Sequence, residues 1–218
     1  MKLLFVSLGC DKNLVDSEEM LGLLSEAGYG FTDDETKAEV IVVNACCFIG
    51  DAKEESINTL LEMAKQKAKG HCQVLIAAGC LAQRYREEVL SEIPEVDGIL
   101  GTASCGRIVS VIEETLKGKR EAVFEDAGRP DGRTGGRVVT TGGHYAYLKI
   151  AEGCDKHCTY CIIPRIRGSY RSVPMEELVE QARGLVQGGV KELILVAQET
   201  TLYGMDLYGE KSLHRLLD

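Results

Sequence analysis

Residues 1–20 read MKLLFVSLGCDKNLVDSEEM, and two readings compete for them. A lysine, an apolar run and SLGC match a secretion leader that ends at a lipidated cysteine. The same letters match a buried strand whose carboxyl end delivers Cys10 to a site. The run LLFVSLG sits at the short limit of a leader core, roughly 7–15 residues, and only Lys2 precedes it. The residues after Cys10 decide between them. A lipidated cysteine continues into a flexible polar tether, whereas NLVDSEEMLGLLSEAGY sets Leu14, Met20 with Leu21, and Leu24 at helical spacing and ends in Gly28. Strand followed by helix is therefore the expectation.

The same unit recurs downstream. VIVVN (Val40 to Asn44) and VLIAA (Val74 to Ala78) repeat the apolar run of Leu3 to Ser7, each followed by an amphipathic, helix-length segment. This rhythm predicts a parallel sheet covered by helices. Unbroken Val, Ile and Leu are what strands buried on both faces require. A weaker fourth unit runs through GILGT and RIVSVIEETLKG. Residues 118–142 then turn rich in Gly, Arg, Asp and Thr and read as a linker with a short strand at its start. From 143 the segment HYAYLKIAEGC is a strand candidate leading into a cysteine loop. A helix opened by Pro174, with Glu176 and Glu177 in its first turn and Gly188-Gly189 behind it, leads to the strand ELILVA. That is one βαβ unit. A complete barrel needs ~250 residues, so the second domain, residues 143–218, is expected to be incomplete. The fold class expected is α/β: a Rossmann-like parallel-sheet domain over 1–117, then the first part of a (β/α) barrel.

The chain has 218 residues, 44% of them hydrophobic, enough to bury one sizeable core or two modest ones. No apolar run approaches the ~20 residues of a membrane span, so a soluble protein is expected. The formal charge of −9 lies wholly in residues 1–130, with 14 Lys+Arg against 23 Asp+Glu, while 131–218 carries 11 of each. Neither half has the basic surplus of a general nucleic-acid binder. Nine cysteines form an odd set, better suited to metal or cluster ligation in a reducing compartment than to disulfides.

Six of the nine fall into two trios. Cys10, Cys46 and Cys80 each lie just beyond the carboxyl end of an expected parallel strand, the edge where open α/β sheets bind ligands. Though 36 and 34 residues apart, they would converge. Gly9 and Gly79 would let the backbone approach a bulky inorganic group. Thiolates gathered this way suit a soft metal or an iron–sulfur cluster. The plain alternative is three buried small hydrophobes. Cys47 competes with Cys46, which is preferred for its distance past Asn44, and Cys72 and Cys105 read as core residues. The second trio is CDKHCTYC, holding Cys154, Cys158 and Cys161. Three ligands on a four-iron cube leave one iron open to a chelating small molecule, and Tyr160 is placed to cover a bound ring. A structural zinc site would need a fourth ligand, with only His157 at hand.

The loop CxxxCxxC after a first barrel strand resembles the hallmark of the radical SAM enzymes. Together with SLGCDKNLVDSE, NACCFIGDAKEES and AAGCLAQRY it resembles the methylthiotransferases among them. HYAYLKIAEGC with CIIPRIRG, and VAQETTLYG, are similar to the RimO type, which acts on an aspartate of small-subunit ribosomal protein S-twelve. The resemblance covers essentially the whole chain. It implies that Cys154, Cys158 and Cys161 hold a 4Fe-4S cluster binding S-adenosylmethionine, and that Cys10, Cys46 and Cys80 hold an auxiliary 4Fe-4S cluster that carries the inserted sulfur. It further implies a cytoplasmic enzyme, a flavodoxin- or ferredoxin-like electron donor and a sulfur donor whose identity is open. Such enzymes also carry a TRAM domain, which these 218 residues lack.

An unactivated C–H bond is beyond side-chain acid or base chemistry at pH 7, and the family uses a cofactor-derived radical instead. Cleavage of S-adenosylmethionine gives a 5′-deoxyadenosyl radical that takes hydrogen from the aspartate β-carbon, after which sulfur and a methyl group are added. No side-chain acid or base is therefore assigned. Gln198, just past ELILVA, is a candidate contact for S-adenosylmethionine, with a helix cap as the plain alternative. Arg167, grouped with Arg165 and Arg171, is a candidate partner for the cofactor carboxylate or an acidic substrate, against solvated loop charges. Asn13 and Asp16 read as caps of the first helix. Two rival functions remain: methylthiolation of a tRNA adenosine, and a non-catalytic cluster-binding fragment.

Overall fold

Strands rich in β-branched residues set the architecture. In the computed structural model, which describes residues 1–127 and 136–218, β1 (Lys2–Ser7), α1 (Asp11–Glu26), β2 (Gly30–Phe31), β3 (Val40–Ala45), α2 (Gly50–Ala64), α3 (Gln66–Lys69), β4 (Val74–Gly79), α4 (Cys80–Tyr85), α5 (Glu87–Glu92), β5 (Gly98–Leu100), α6 (Ile108–Leu116) and β6 (Glu121–Val123) follow in order. The six strands form one parallel sheet in the order β2-β1-β3-β4-β5-β6. Adjacent strands of the first three repeats pair directly, Leu3 to Val40 and Val40 to Val74.

The two central strands, β3 and β4, are buried along their whole length. Val40, Val42, Val74 and Ile76 pack with Met20 and Leu24 of α1 and with Ile108, Val111 and Ile112 of α6. Ile41, Val43, Leu75 and Ala77 alternate to the opposite face and are equally buried, with α2 against β3 and β4. Each such Val, Ile, Leu or Met side chain contributes roughly 1.5–3 kcal/mol by leaving water. β1 departs from the expectation of burial on both faces: of its residues only Leu3 is fully buried.

The contact pattern divides the chain into Met1–Val138 and Val139–Asp218. Within the stretch read as a linker, β6 pairs with β5 and extends the sheet. Residues 136–138 lie along α1. Val138 N–H donates to the Glu18 carbonyl (3.1 Å), Gly136 N–H to the Glu26 carboxylate (2.7 Å), and Arg137 pairs with the buried Glu18 carboxylate. The part of the linker reading that covers 128–135 lies outside the described residues.

In the second unit β7 (Tyr145–Lys149), β8 (Ala151–Glu152), α7 (Ile163–Arg167), β9 (Arg171–Ser172), α8 (Met175–Gln187), β10 (Glu192–Val196), α9 (Met205–Tyr208) and α10 (Leu213–Leu217) follow. The βαβ unit is present: β7 and β10 pair in parallel, with α8 between them. Ala146, Leu148, Ile150, Leu178, Leu185 and Tyr203 form its core. HYAYLKIAEGC is not one strand. It breaks at Ile150, whose N–H donates to the Val196 carbonyl, and β8 turns to pair antiparallel with β9. The cysteine loop is thus closed at its base by a two-stranded clip.

Candidate metal centres

β1, β3 and β4 are neighbours, so the loops at their carboxyl ends share one edge. Cys10 stands three residues past β1 at the N-cap of α1, Cys46 directly follows β3, and Cys80 directly follows β4 and opens α4. Cys10 is exposed, while Cys46 and Cys80 are 7% and 6% exposed. Gly9 adopts a φ of +95°, and a Cβ there would lie 2.6 Å from Cys46 Cβ and 3.0 Å from its sulfur. The missing side chain is what lets Cys46 close against the Cys10 loop. Ser56 of α2 fixes Cys46 from the other side, accepting from its N–H (3.0 Å) and donating to its carbonyl (2.8 Å).

Cys47 faces elsewhere. Its thiol donates to the Cys80 carbonyl at 3.1 Å, and burial, reinforced by the Cys80 thiol, pushes its pKa up to about 11. Cys46 is the member of the pair that lies against Gly9. Among the described residues no three His, Cys, Asp or Glu side chains converge tightly enough to hold one metal ion. A single zinc draws thiolates to ~2.3 Å from its centre. A four-iron cube offers each thiolate its own iron and accommodates sulfurs spread more widely. The donor set is thiolate only, and the glycine-lined approach suits a bulky group. The chemistry of that donor set is compatible with an iron–sulfur cluster.

The second trio rides on the loop between β8 and α7. Cys154 and Cys161 are partly buried and Cys158 is exposed. Cys154 N–H donates to the Gly168 carbonyl (3.1 Å) and Cys161 N–H to the Cys158 carbonyl (2.9 Å), so the base and the last turn of the loop are tied. Lys156 pairs with Glu199, which also caps the turn Thr200–Leu202. The Lys156 ammonium, with Thr201 behind it, holds the Glu199 carboxyl down to about 2. Tyr160 stands 86% exposed on the loop, clear of any packing role.

A residue that the sequence pattern does not single out organises this site. Glu152, at the end of β8, accepts from Lys149 Nζ (3.0 Å) and Arg167 Nη1 (3.2 Å) on Oε2 and from Gln198 Nε2 (2.8 Å) on Oε1. It thereby joins two candidate cofactor contacts, Arg167 and Gln198. Its one sequence signal is its place immediately before Gly153-Cys154. The basic group does not stay together: Arg165 is exposed, Arg167 is 2% exposed and turned onto Glu152, and Arg171 donates to the Ser169 carbonyl (2.8 Å). Gln198 Oε1 is buried and accepts no hydrogen bond among the described residues.

Asn13 does not cap α1. It is fully buried, and its Nδ2 donates to the Leu8 carbonyl (2.7 Å) and the Asn44 carbonyl (3.2 Å). Asp16 is buried too, one turn further along. Cys72 and Cys105 lie in the core, their thiols on the Val74 and Thr102 carbonyls.

Residues 2–101 match the family described as Uncharacterized protein family UPF0004, and residues 148–217 match the Radical SAM superfamily. A ribosomal protein uS12 methylthiotransferase RimO from Lachnoclostridium phytofermentans is 64% identical over 217 residues, covering 100% of this chain and 49% of that protein. The chain is thus similar throughout its length to ribosomal protein methylthiotransferases, and its second unit matches the radical SAM superfamily. A second RimO, from Pelotomaculum thermopropionicum, is 49% identical over 218 residues, again 100% of this chain and 49% of that protein. The chain thus spans about half the length of the curated relatives it matches. Among solved structures, the radical S-adenosylmethionine methyltransferase TsrM from Kitasatospora setae, with cobalamin and a 4Fe-4S cluster bound, shares the fold. Its TM-score is 0.61 at 12% identity, over 98% of this chain and 51% of that one. Among the described residues, no helix of this chain is long and apolar enough to cross a membrane.

Proposed function

We propose that this chain provides both iron–sulfur sites of a radical methylthiotransferase acting on the β-carbon of an aspartate in ribosomal protein uS12. The observation that carries the proposal is the arrangement of Cys10, Cys46 and Cys80 at the ends of three adjacent parallel strands, with Cys46 seated against Gly9. Cys154, Cys158 and Cys161 would hold the cluster that meets S-adenosylmethionine, and the strand-end trio the auxiliary one. Bound there, the two clusters would supply the electron that cleaves S-adenosylmethionine and the site from which sulfur is inserted.

The protein's own part is placement. Glu152 fixes the Gln198 amide so that its Oε1 is presented as an acceptor, suited to an ammonium or hydroxyl donor of the cofactor. The same carboxylate holds Lys149 and Arg167 beside the loop, where their charge favours an anionic group. Tyr160, exposed at the loop tip, is available to stack on the adenine ring. The names of the relatives favour uS12 over a tRNA adenosine. A flavodoxin- or ferredoxin-like protein in the cytoplasm would supply electrons.

Two measurements test this. Anaerobic reconstitution is expected to load about eight irons per chain, two four-iron cubes, with about half lost when either trio is changed to alanine. Loading that never passes four irons refutes the two-cluster reading. Mass spectrometry of uS12 and of tRNA from a strain lacking the full-length gene is expected to show the methylthio mass missing from uS12 alone. Its loss from tRNA instead would establish the adenosine substrate.

A further inference from the structure

Asn13 and Asn44 are fully buried at the edge that carries the first cysteine trio, and neither has a role in the chemistry described above. Their amides are exchanged. Asn13 Nδ2 donates to the Leu8 carbonyl (2.7 Å), two residues before Cys10, and to the Asn44 carbonyl (3.2 Å), two residues before Cys46. Asn44 Nδ2 donates back to the Asn13 carbonyl (3.0 Å) and to Ser17 Oγ (2.8 Å). The Asn44 carbonyl also accepts from Leu8 N–H (3.0 Å). Because carbonyl oxygens only accept, both Nδ2 groups must face them, and the orientation of each amide follows.

The third loop meets the same pair through its glycine. A Cβ on Gly79, the residue before Cys80, would lie 2.1 Å from Asn44 Oδ1 and 3.2 Å from Asn13 Oδ1. Asn44 Oδ1 is buried and has no hydrogen-bond partner among the described residues. The two amide oxygens thus occupy the space beside Gly79 Cα and set how near the β4 loop comes. A pair of ordinary helix caps would touch one loop. This pair touches the residues before all three cysteines.

We propose that Asn13 and Asn44 are positioning residues: a reciprocal buried clamp that holds the Cys10, Cys46 and Cys80 loops in register, so that the three thiols form one ligand set. The inference rests on the reading of that trio as a cluster site. The clamp works through main-chain carbonyls, so aspartate, the isostere of asparagine, turns a donor into an oxygen without changing shape: at Asn13 it faces the Leu8 and Asn44 carbonyls, at Asn44 the Asn13 carbonyl and the Ser17 hydroxyl.

The test uses the whole 218-residue chain with Cys154, Cys158 and Cys161 changed to alanine, so that any iron reports the first trio. The parent is expected to load about four irons per chain, and Asn44→Asp and Asn13→Asp at least fourfold less, at a temperature where circular dichroism shows each variant folded. A second readout needs no iron. In the metal-free chain, dibromobimane is expected to bridge pairs among Cys10, Cys46 and Cys80, and the bridged-peptide yield is expected to fall severalfold in both variants. Should an aspartate variant fail to fold, Asn44→Ser and Asn13→Ser, which keep one donor, are expected to give intermediate loading and bridging.

Folded variants that load iron and bridge thiols as the parent does overturn the clamp. A variant that only lowers the urea midpoint, leaving both readouts unchanged in the folded state, also overturns it, since that is a merely structural role. A parent that takes up no iron refutes the cluster reading instead, and the bimane yields then decide the clamp separately.

Discussion

Replacing Gly79 by alanine isolates what the cysteine edge demands of the backbone. Gly79 sits at φ +84°, ψ −151°, a region that is essentially glycine-only and costs roughly 1–3 kcal/mol for other residues. The new Cβ would also stand 2.1 Å from Asn44 Oδ1 and 2.9 Å from the Ala45 carbonyl. Asn44 can withdraw only by giving up its bonds to Asn13 and Ser17, roughly 0.5–1.5 kcal/mol each. The two contributions together give a loss of about 4 kcal/mol. Gly28→Ala is the matched control: φ is +85°, but nothing lies within 4 Å of its Cβ position. Only left-handed strain remains there, about 1–2 kcal/mol. Urea unfolding of both variants, followed by circular dichroism, is expected to place Gly79→Ala about 2–3 kcal/mol below Gly28→Ala. Equal losses would refute the reasoning, because the packed amides beside Gly79 would then contribute nothing.

Arg137→Met leaves the buried Glu18 carboxylate without its main cation and is expected to lower stability by about 3 kcal/mol; adding Glu18→Gln should recover most of it in urea titrations. Glu152→Gln removes the carboxylate that holds Lys149 and Arg167, and equilibrium dialysis of the reconstituted chain is expected to show S-adenosylmethionine binding weakened about tenfold. Tyr160→Ala, at an exposed position, is expected to change stability by less than about 0.5 kcal/mol, so any loss of cofactor affinity would report its stacking alone. Burial pushes the Cys72 thiol up to about 11. Its raised folded pKa contributes stability below pH ~9, the ordinary thiol range, and loses it as pH climbs toward 11. Cys72→Val is expected to remove that part of the alkaline loss, and iodoacetamide at pH 8 should leave Cys72 unmodified until the chain unfolds.

The main parallel strands and the cysteine edge were open to a reader of the sequence for one physical reason. β3 and β4 are buried on both faces, so every position must be apolar, and the pattern survives without knowledge of neighbours. A parallel sheet then places every strand's carboxyl end on one side, which gathers Cys10, Cys46 and Cys80 there. Near the second trio the same logic failed at Ile150. The apolar run continues past β7, yet a single hydrogen bond to β10 and the pull of β9 redirect the chain.

Local composition determined which segments become the main strands and helices, and that six of the nine thiols sit on loops or just past strand ends. Only the tertiary structure decided the fate of the polar residues. Asn13 reads as a helix cap because its nearest partners in sequence are helix N–H groups. In the folded chain, Asn44 lies 31 residues away in sequence and supplies the carbonyl instead. Arg167 reads as a partner for an anionic cofactor group or as a solvated charge, yet Glu152, 15 residues away in sequence, pairs with it in the fold. Apolar burial is encoded by period and is legible residue by residue. A polar group's partner is fixed by which strands come to lie side by side, and only folding supplies that.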